Sequence, residues 1–210
     1  MRLGSLIRTV LFLNMLGGCT LSQIEEPKYE VIKKHEDFEL RKYQPTVVAE
    51  TEVIGEFSAS ASIGFRRLAN YIFGGNKTKT QIKMTAPVST AAPQPTSEKI
   101  NMTAPVSQVA AGSDRWVISF TMPSNYTLES LPDPLDPQVR LKAVPASTFA
   151  AIRFSGFNSA TLVEEKTKTL RDVAAKEGIA LSDRVIYARY NPPWTLWFLR
   201  RNEILIEAKQ

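Results

Sequence analysis

Cysteine and histidine occur once each, as Cys19 and His35, and that scarcity decides which chemistries the chain can attempt. One thiol forms no intrachain disulfide and no cysteine-built metal cluster. One imidazole cannot furnish a multi-histidine zinc site, and a Ser-His-Asp relay would have to run through His35 alone. No two carboxylates stand out as an acid/base couple. An enzymatic pocket would have to gather residues such as Glu50, Tyr71 and Glu203. The stronger signal is binding. Trp194, Leu196, Trp197 and Phe198 follow Pro192-Pro193, so large apolar groups stand on a loop, where they either line a ligand groove or plug the mouth of the fold. Arg66, Arg67, Lys83, Arg200 and Arg201 are the cations available to pair with an anionic ligand. Each is equally at home on a solvated face, and Arg200-Arg201-Asn202-Glu203 equally suits a structural network closing the last hairpin.

The elements that must position these residues begin after a leader. Arg2 and Arg8 precede an apolar run at 10–16 that ends in Leu16-Gly17-Gly18-Cys19, the grammar of a secretory signal at 1–18. Ten residues between Arg8 and Cys19 are about half the ~20 needed to span a bilayer. Leu-Gly-Gly-Cys resembles the lipobox of bacterial lipoproteins, with Cys19 the lipidated residue and 19–27 a tether. An ordinary signal peptide with a chance cysteine is the alternative. Thr20 after the cysteine fits outer-membrane sorting, and hence an envelope protein facing the periplasm. Loss of Arg2 and Arg8 lowers the net charge from +5 to +3, too little and too dispersed for a nucleic-acid partner. The 210-residue length, with 43% hydrophobic and 22% charged residues, predicts one domain at 28–210 with a real core.

That domain reads as two similar halves, about 28–130 and 138–210. Alternation predicts strands at 29–34 and 38–43, and β-branched residues predict another at 46–54. Phe65, Leu68, Ala69, Ile72 and Phe73 share one helical face, and Gly74-Gly75 ends that helix. Gly74-Gly75-Asn76-Lys77-Thr78 lacks phosphate-loop spacing and reads as a helix cap. Short β-like runs follow at 81–89 and 99–109, then a strand at 116–122. A linker with three prolines spans 131–137. Beyond it come strands at 139–144 and 148–154, a helix at 160–175 closed by Gly178, and strands at 185–190 and 203–207. The recurring order of elements predicts one pseudo-symmetric α+β domain: antiparallel strands in a distorted, barrel-like sheet with a helix from each half packed outside.

Met84-Thr85-Ala86-Pro87-Val88 recurs as Met102-Thr103-Ala104-Pro105-Val106. Together with Phe38-Glu39-Leu40-Arg41-Lys42-Tyr43, Tyr71-Ile72-Phe73-Gly74-Gly75-Asn76 and Tyr190-Asn191-Pro192-Pro193-Trp194 through Arg200-Arg201-Asn202-Glu203, this pair resembles the SOUL/heme-binding protein family over about 27–208. The resemblance implies a barrel of two βαββ-like halves and a carrier or buffer of heme or porphyrin without catalysis. More distantly it reaches the effector-binding domains of bacterial regulators.

A tetrapyrrole asks for a flat apolar surface, cations for two propionates and an optional axial ligand. Phe65, Ala69, Ile72 and Phe73 on the helix, with Trp194 and Trp197 on the loop, supply the first; the helix stripe equally serves as core. Arg66, Lys83 and Arg200 are the propionate candidates, although Ser62 and Thr195 stand where some relatives carry cations. Lys42 occupies a position where certain members have histidine, and His35 falls in a predicted hairpin turn, a poor axial ligand. Met84 and Met102 fit core or hairpin roles. The competing expectation is an envelope interaction protein that offers the same groove to a protein or lipid.

Overall fold

β3 (Thr46–Ile54) buries Ala49, Thr51 and Val53 and turns the intervening residues outward, the period of two that a strand with one covered face requires. Elsewhere the pattern differs: residues 150–152 and 202–206 are buried consecutively, as in strands covered on both faces, and 30–34 are exposed. The computed structural model describes residues 24–36, 38–79, 96–157 and 159–209. The leader with Cys19, Lys83, the first Met-Thr-Ala-Pro-Val copy and the run at 81–89 lie outside the described residues. Before β3 come β1 (Tyr29–Lys34) and β2 (Glu39–Tyr43); after it come α1 (Phe57–Ile72), β4 (Asn76–Lys77), β5 (Val106–Ala110) and β6 (Arg115–Thr121). The later elements are β7 (Asp133–Pro134), β8 (Val139–Val144), β9 (Ser147–Phe154), α2 (Ala160–Lys176), β10 (Leu181–Arg189) and β11 (Asn202–Ala208).

Nine strands form one sheet in the order β1-β2-β9-β11-β10-β5-β6-β3-β8, and its ladders are antiparallel. The sheet curls into a half-barrel with both helices against it, so the α+β class and the barrel-like architecture read from the sequence are those of the chain. The order is nearly palindromic about the β10–β5 seam. It also shows that the halves at 28–130 and 138–210 are not separate bodies. β2 precedes β3 in the chain but pairs with β9, and β8 precedes β9 but pairs with β3. Each half lends its leading strand to the other.

The segment 131–137 differs from a bare linker. Leu131 is buried in the core under α1, the Tyr71 hydroxyl donates to Pro132 O at 2.9 Å, and Leu135 N–H donates to Gly75 O at 3.1 Å. Proline removes donors but leaves carbonyls able to accept, so the segment is pinned without a full ladder. The run at 99–109 is a strand only over β5. Ahead of it, Thr103 donates to Thr121 O and Met102 packs against the core. Asn76 caps α1 as the sequence suggested: Nδ2 donates to Tyr71 O at 2.7 Å and Oδ1 accepts from Glu98 N–H at 2.9 Å.

The buried stripe of α1 is Ser60, Ala61, Gly64, Leu68, Tyr71 and Ile72, not the Phe65–Phe73 face. Leu68 and Ile72 are common to both, whereas Phe65 lies at the margin, with its ring against Phe120 of β6 but partly open to solvent, Ala69 is half-buried and Phe73 is exposed. Small residues explain the rotation. A Cβ on Gly64 would lie 2.3 Å from Ile118 Cγ1, so the helix rests on the sheet through its least apolar-looking positions. α2 starts on Ser159, whose side chain accepts from Leu162 N–H, and ends at Gly178, which adopts φ +70°.

Candidate functional site

The chain between β10 and β11 carries the late aromatics, and its own polar bonds hold it open. Arg200 Nε donates to Thr195 O at 2.8 Å and Nη2 donates to Pro193 O at 2.6 Å. Arg201 N–H donates to Asn191 Oδ1, also at 2.6 Å. With these backbone groups satisfied, the side chains point to solvent: Trp194 is 82% exposed and Trp197 50%. Phe157, from the loop between β9 and α2, stacks on Trp197 at 5.6 Å, and Phe198 meets Trp197 edge-on. Gly156 N–H donates to Trp197 O at 3.1 Å and ties the two loops together. Contiguous exposed aromatics of this size mark an interaction surface.

α1 approaches the same end of the sheet. Its outer face carries Phe65, Ala69 and Phe73 at i, i+4 and i+8, with Arg66 exposed beside them. The Phe65 ring meets Phe120 edge-on at 5.4 Å. Phe120 pairs across the ladder with Val106, and Val106 pairs with Arg189. Two strand spacings, about 10 Å, therefore separate the foot of the helix stripe from the root of the aromatic loop.

Arg189 sits at that root, and sequence reasoning missed it. Alternation along β10 places it on the Tyr187 side, which faces the helices, and its guanidinium lies 5.6 Å from the Tyr187 ring centre. Its Nε is buried without a hydrogen-bond partner, and among the described residues no carboxylate pairs with it. Burial pushes its pKa below the ordinary arginine value. A cation partly withdrawn from water without a counter-ion favours an incoming anion. Arg200 is the second cation here, its guanidinium 6.0 Å from the Phe157 ring centre. The charges of Arg189 and Arg200 both reach Tyr187, although burial dominates and raises that phenol to about 12. One signal was legible: Arg189 is a lone charge in line with Val185 and Tyr187 on the covered face of a strand.

The remaining candidates fall elsewhere. Ile72 is 1% exposed in the core and presents no surface to a ligand. Arg67 turns back to β3, donating to Thr51 Oγ1 at 2.8 Å and lying 3.5 Å from Asp136. Arg201 pairs with Glu26 and Glu203. His35 stacks on Phe38 and lies 3.8 Å from Glu177, at the carboxyl end of α2. The aromatic loop adjoins the amino end of that 17-residue helix, so about 25 Å of helix separates His35 from Trp197. Met102 belongs to the core edge. Among the described residues no group of three or more His, Cys, Asp or Glu side chains could hold a metal ion, and no helix is long and apolar enough to cross a membrane.

The family model for SOUL heme-binding protein matches residues 24–207. Heme-binding protein 2 of Homo sapiens is 30% identical over 175 residues, 79% of each chain. Among solved structures, the EcmrR C-terminal domain superposes with a TM-score of 0.57 at 10% identity, covering 87% of this chain and 98% of that one. A hydrolase from Listeria innocua superposes at 0.52 with 7% identity, covering 85% and 94%. At such identities the shared feature is the fold.

Proposed function

Because this chain belongs to the SOUL heme-binding protein family, we propose that it binds heme, or another flat tetrapyrrole, on the surface between the outer stripe of α1 and the β10–β11 loop. The observation that carries this placement is Arg189, a half-buried cation whose Nε is buried without a hydrogen-bond partner, beside an exposed aromatic surface. In this reading the Trp197–Phe157 stack, Trp194, Phe65 and Phe73 receive the ring, while Arg189 and Arg200 meet the propionates as charge-assisted donors. His35 is stationed too far from that surface to ligate the iron, so affinity rests on ring burial and carboxylate pairing. The part of this chain is to bind, orient and shield the ring as a carrier or buffer, without catalysis. Glu203, the carboxylate an enzymatic reading would recruit, is already committed to Arg41 and Arg201. The Leu-Gly-Gly-Cys19 leader supports lipid anchoring at the cell envelope, with Thr20 favouring the outer membrane and its periplasmic face.

Titration of the purified protein with hemin, followed by its Soret band and by tryptophan quenching, tests the placement. Saturable, near-stoichiometric binding is expected, with similar affinity for iron-free protoporphyrin and marked weakening when Trp194 and Trp197 are both changed to alanine. Unchanged affinity in that double variant would overturn the site. No saturable binding by the unmodified protein would instead reassign the exposed aromatics to a protein or lipid partner.

A further inference from the structure

At the pseudo-twofold seam, where Gln108 of β5 pairs with Tyr187 of β10, a cleft of about 200 Å³ opens between the first turn of α1 and the first two turns of α2. Its walls are mainly apolar, with Phe57, Trp116, Val163, Val185 and Tyr187 among them. Phe57 meets Trp116 edge-on at 5.2 Å and lies 5.8 Å from Tyr187, so three rings form one corner. The buried polar groups of these walls are almost all spent within the protein. Trp116 Nε1 donates to Gly55 O, the Tyr187 hydroxyl donates to Asn202 Oδ1, and the Thr167 hydroxyl donates to Val163 O.

Glu164 stands exposed to water at the rim, and among the buried polar groups Gln108 is the exception. It is 1% exposed, and its Nε2 donates to Phe57 O at 2.9 Å and to Ser60 Oγ at 3.2 Å. Phe57 O is an acceptor and already takes the Ser60 hydroxyl, so the amide cannot be turned round to put its own oxygen there. Oε1 is left buried with no hydrogen-bond partner. A buried acceptor without a donor is costly, and a molecule that supplies one relieves that cost. The cleft is of the order of the ~150 Å³ apolar cavity known to admit benzene, and too small for a tetrapyrrole.

We infer that this cleft is a second binding site, for a small flat aromatic molecule with a single N–H or O–H donor, an indole or a phenol. The ring lies against Phe57, Trp116 and Tyr187, and the donor meets Gln108 Oε1. None of the proposed heme contacts on α1 or the late loop lines the cleft, so the inference stands apart from the tetrapyrrole reading.

Calorimetric titration with indole and with 1-methylindole, which has the same ring but no donor, tests it on the unmodified protein. Saturable one-to-one binding of indole is expected, with 1-methylindole about tenfold weaker. Val163→Trp, which fills the cleft from its half-buried α2 wall, abolishes indole binding while the circular dichroism spectrum stays native. Excess hemin leaves the indole isotherm unchanged. Equal affinity for the two indoles, saturable binding that survives Val163→Trp, competition by hemin, or no saturable binding at all (a cleft that holds only water) would each overturn the proposal.

Discussion

Arg41 and Glu203 stand 162 positions apart in the chain and meet at 2.8 Å, with Glu203 wholly shut from water. The bond reaches from β2 over β9 to β11, on the sheet face away from the helices. Arg201 Nε and the Tyr190 hydroxyl take the remaining acceptor capacity of the carboxylate, at 3.0 and 2.8 Å. Tyr29 lies under Arg41 and Tyr190 under Arg201. The Glu-Leu-Arg-Lys-Tyr and Arg-Arg-Asn-Glu motifs are thus largely two ends of one structural clasp.

Removing one partner of that clasp leaves the other buried and charged. Glu203→Gln is expected to cost about 2–3 kcal/mol, short of the ~3–5 kcal/mol of a fully stranded charge, because Arg41 and Arg201 lose their common counter-ion but keep Glu39 and Glu26. Replacing Arg41, Arg201 and Glu203 together with apolar residues of similar volume recovers most of the loss. Urea unfolding of the two variants measures this; a triple variant no more stable than Glu203→Gln would show that packing, not stranded charge, accounts for the effect.

The same carboxylate gives the protein an acid limb. Burial alone would raise its pKa, but the hydrogen bond and charge of Arg41, then Arg201 and Tyr190, hold it below the ordinary 4.5. The native state therefore carries fewer protons than the unfolded state in that range, and stability present above 4.5 is lost as pH falls through the folded value. On the alkaline side, burial raises Tyr43 and Tyr187 from 10.0 to about 12, so their contribution is intact below 10 and lost as pH climbs towards 12. Denaturation midpoints across pH should form a plateau with two falling edges, and Glu203→Gln should flatten the acid edge. An acid edge of the same steepness in that variant would assign it to other carboxylates.

Arg189 is expected to read carboxylates. Arg189→Ala should weaken hemin binding about 10- to 100-fold, the worth of a charge-assisted hydrogen bond, while changing affinity for hemin dimethyl ester little. Parallel Soret titrations of both ligands separate this from a general loss of fold, which would weaken the two alike.

Gly64→Ala places a methyl group 2.3 Å from Ile118 Cγ1 and must lift α1 from the sheet. A loss of about 1–3 kcal/mol is expected, the usual cost of overpacking. Thermal unfolding measures it, and an unchanged melting temperature would mean that the interface yields freely.

Much of the fold was legible because its strands obey a simple period. The boundaries of β1, β3 and β8 follow from local alternation and β-branched runs, and Gly178 closes α2 where its backbone freedom is needed. The orientation of α1 was not, because a stripe of Ser60, Ala61 and Gly64 carries no hydrophobic signal and the bulky side chains on the other face drew attention. That orientation leaves Phe65 and Phe73 available at the surface. Trp194 and Trp197 stood out in the sequence by following two prolines. Arg189 did not, since whether a cation at a strand end is solvated or stranded depends on what the next strand and loop lay over it. Strand pairing was likewise invisible, because element order says nothing about which neighbour a strand chooses.

The exchange of β2 and β8 makes folding an all-or-nothing affair for this chain. A fragment cut near Leu131 would keep one strand it has no place for and lack one it needs, so it could not stop at a half-folded domain. Two such fragments would be complementary pieces, each carrying the missing edge of the other. In the intact chain the same lacing means that loosening either helix layer disturbs the sheet beneath the opposite one, and the seam between them shares the strain of both.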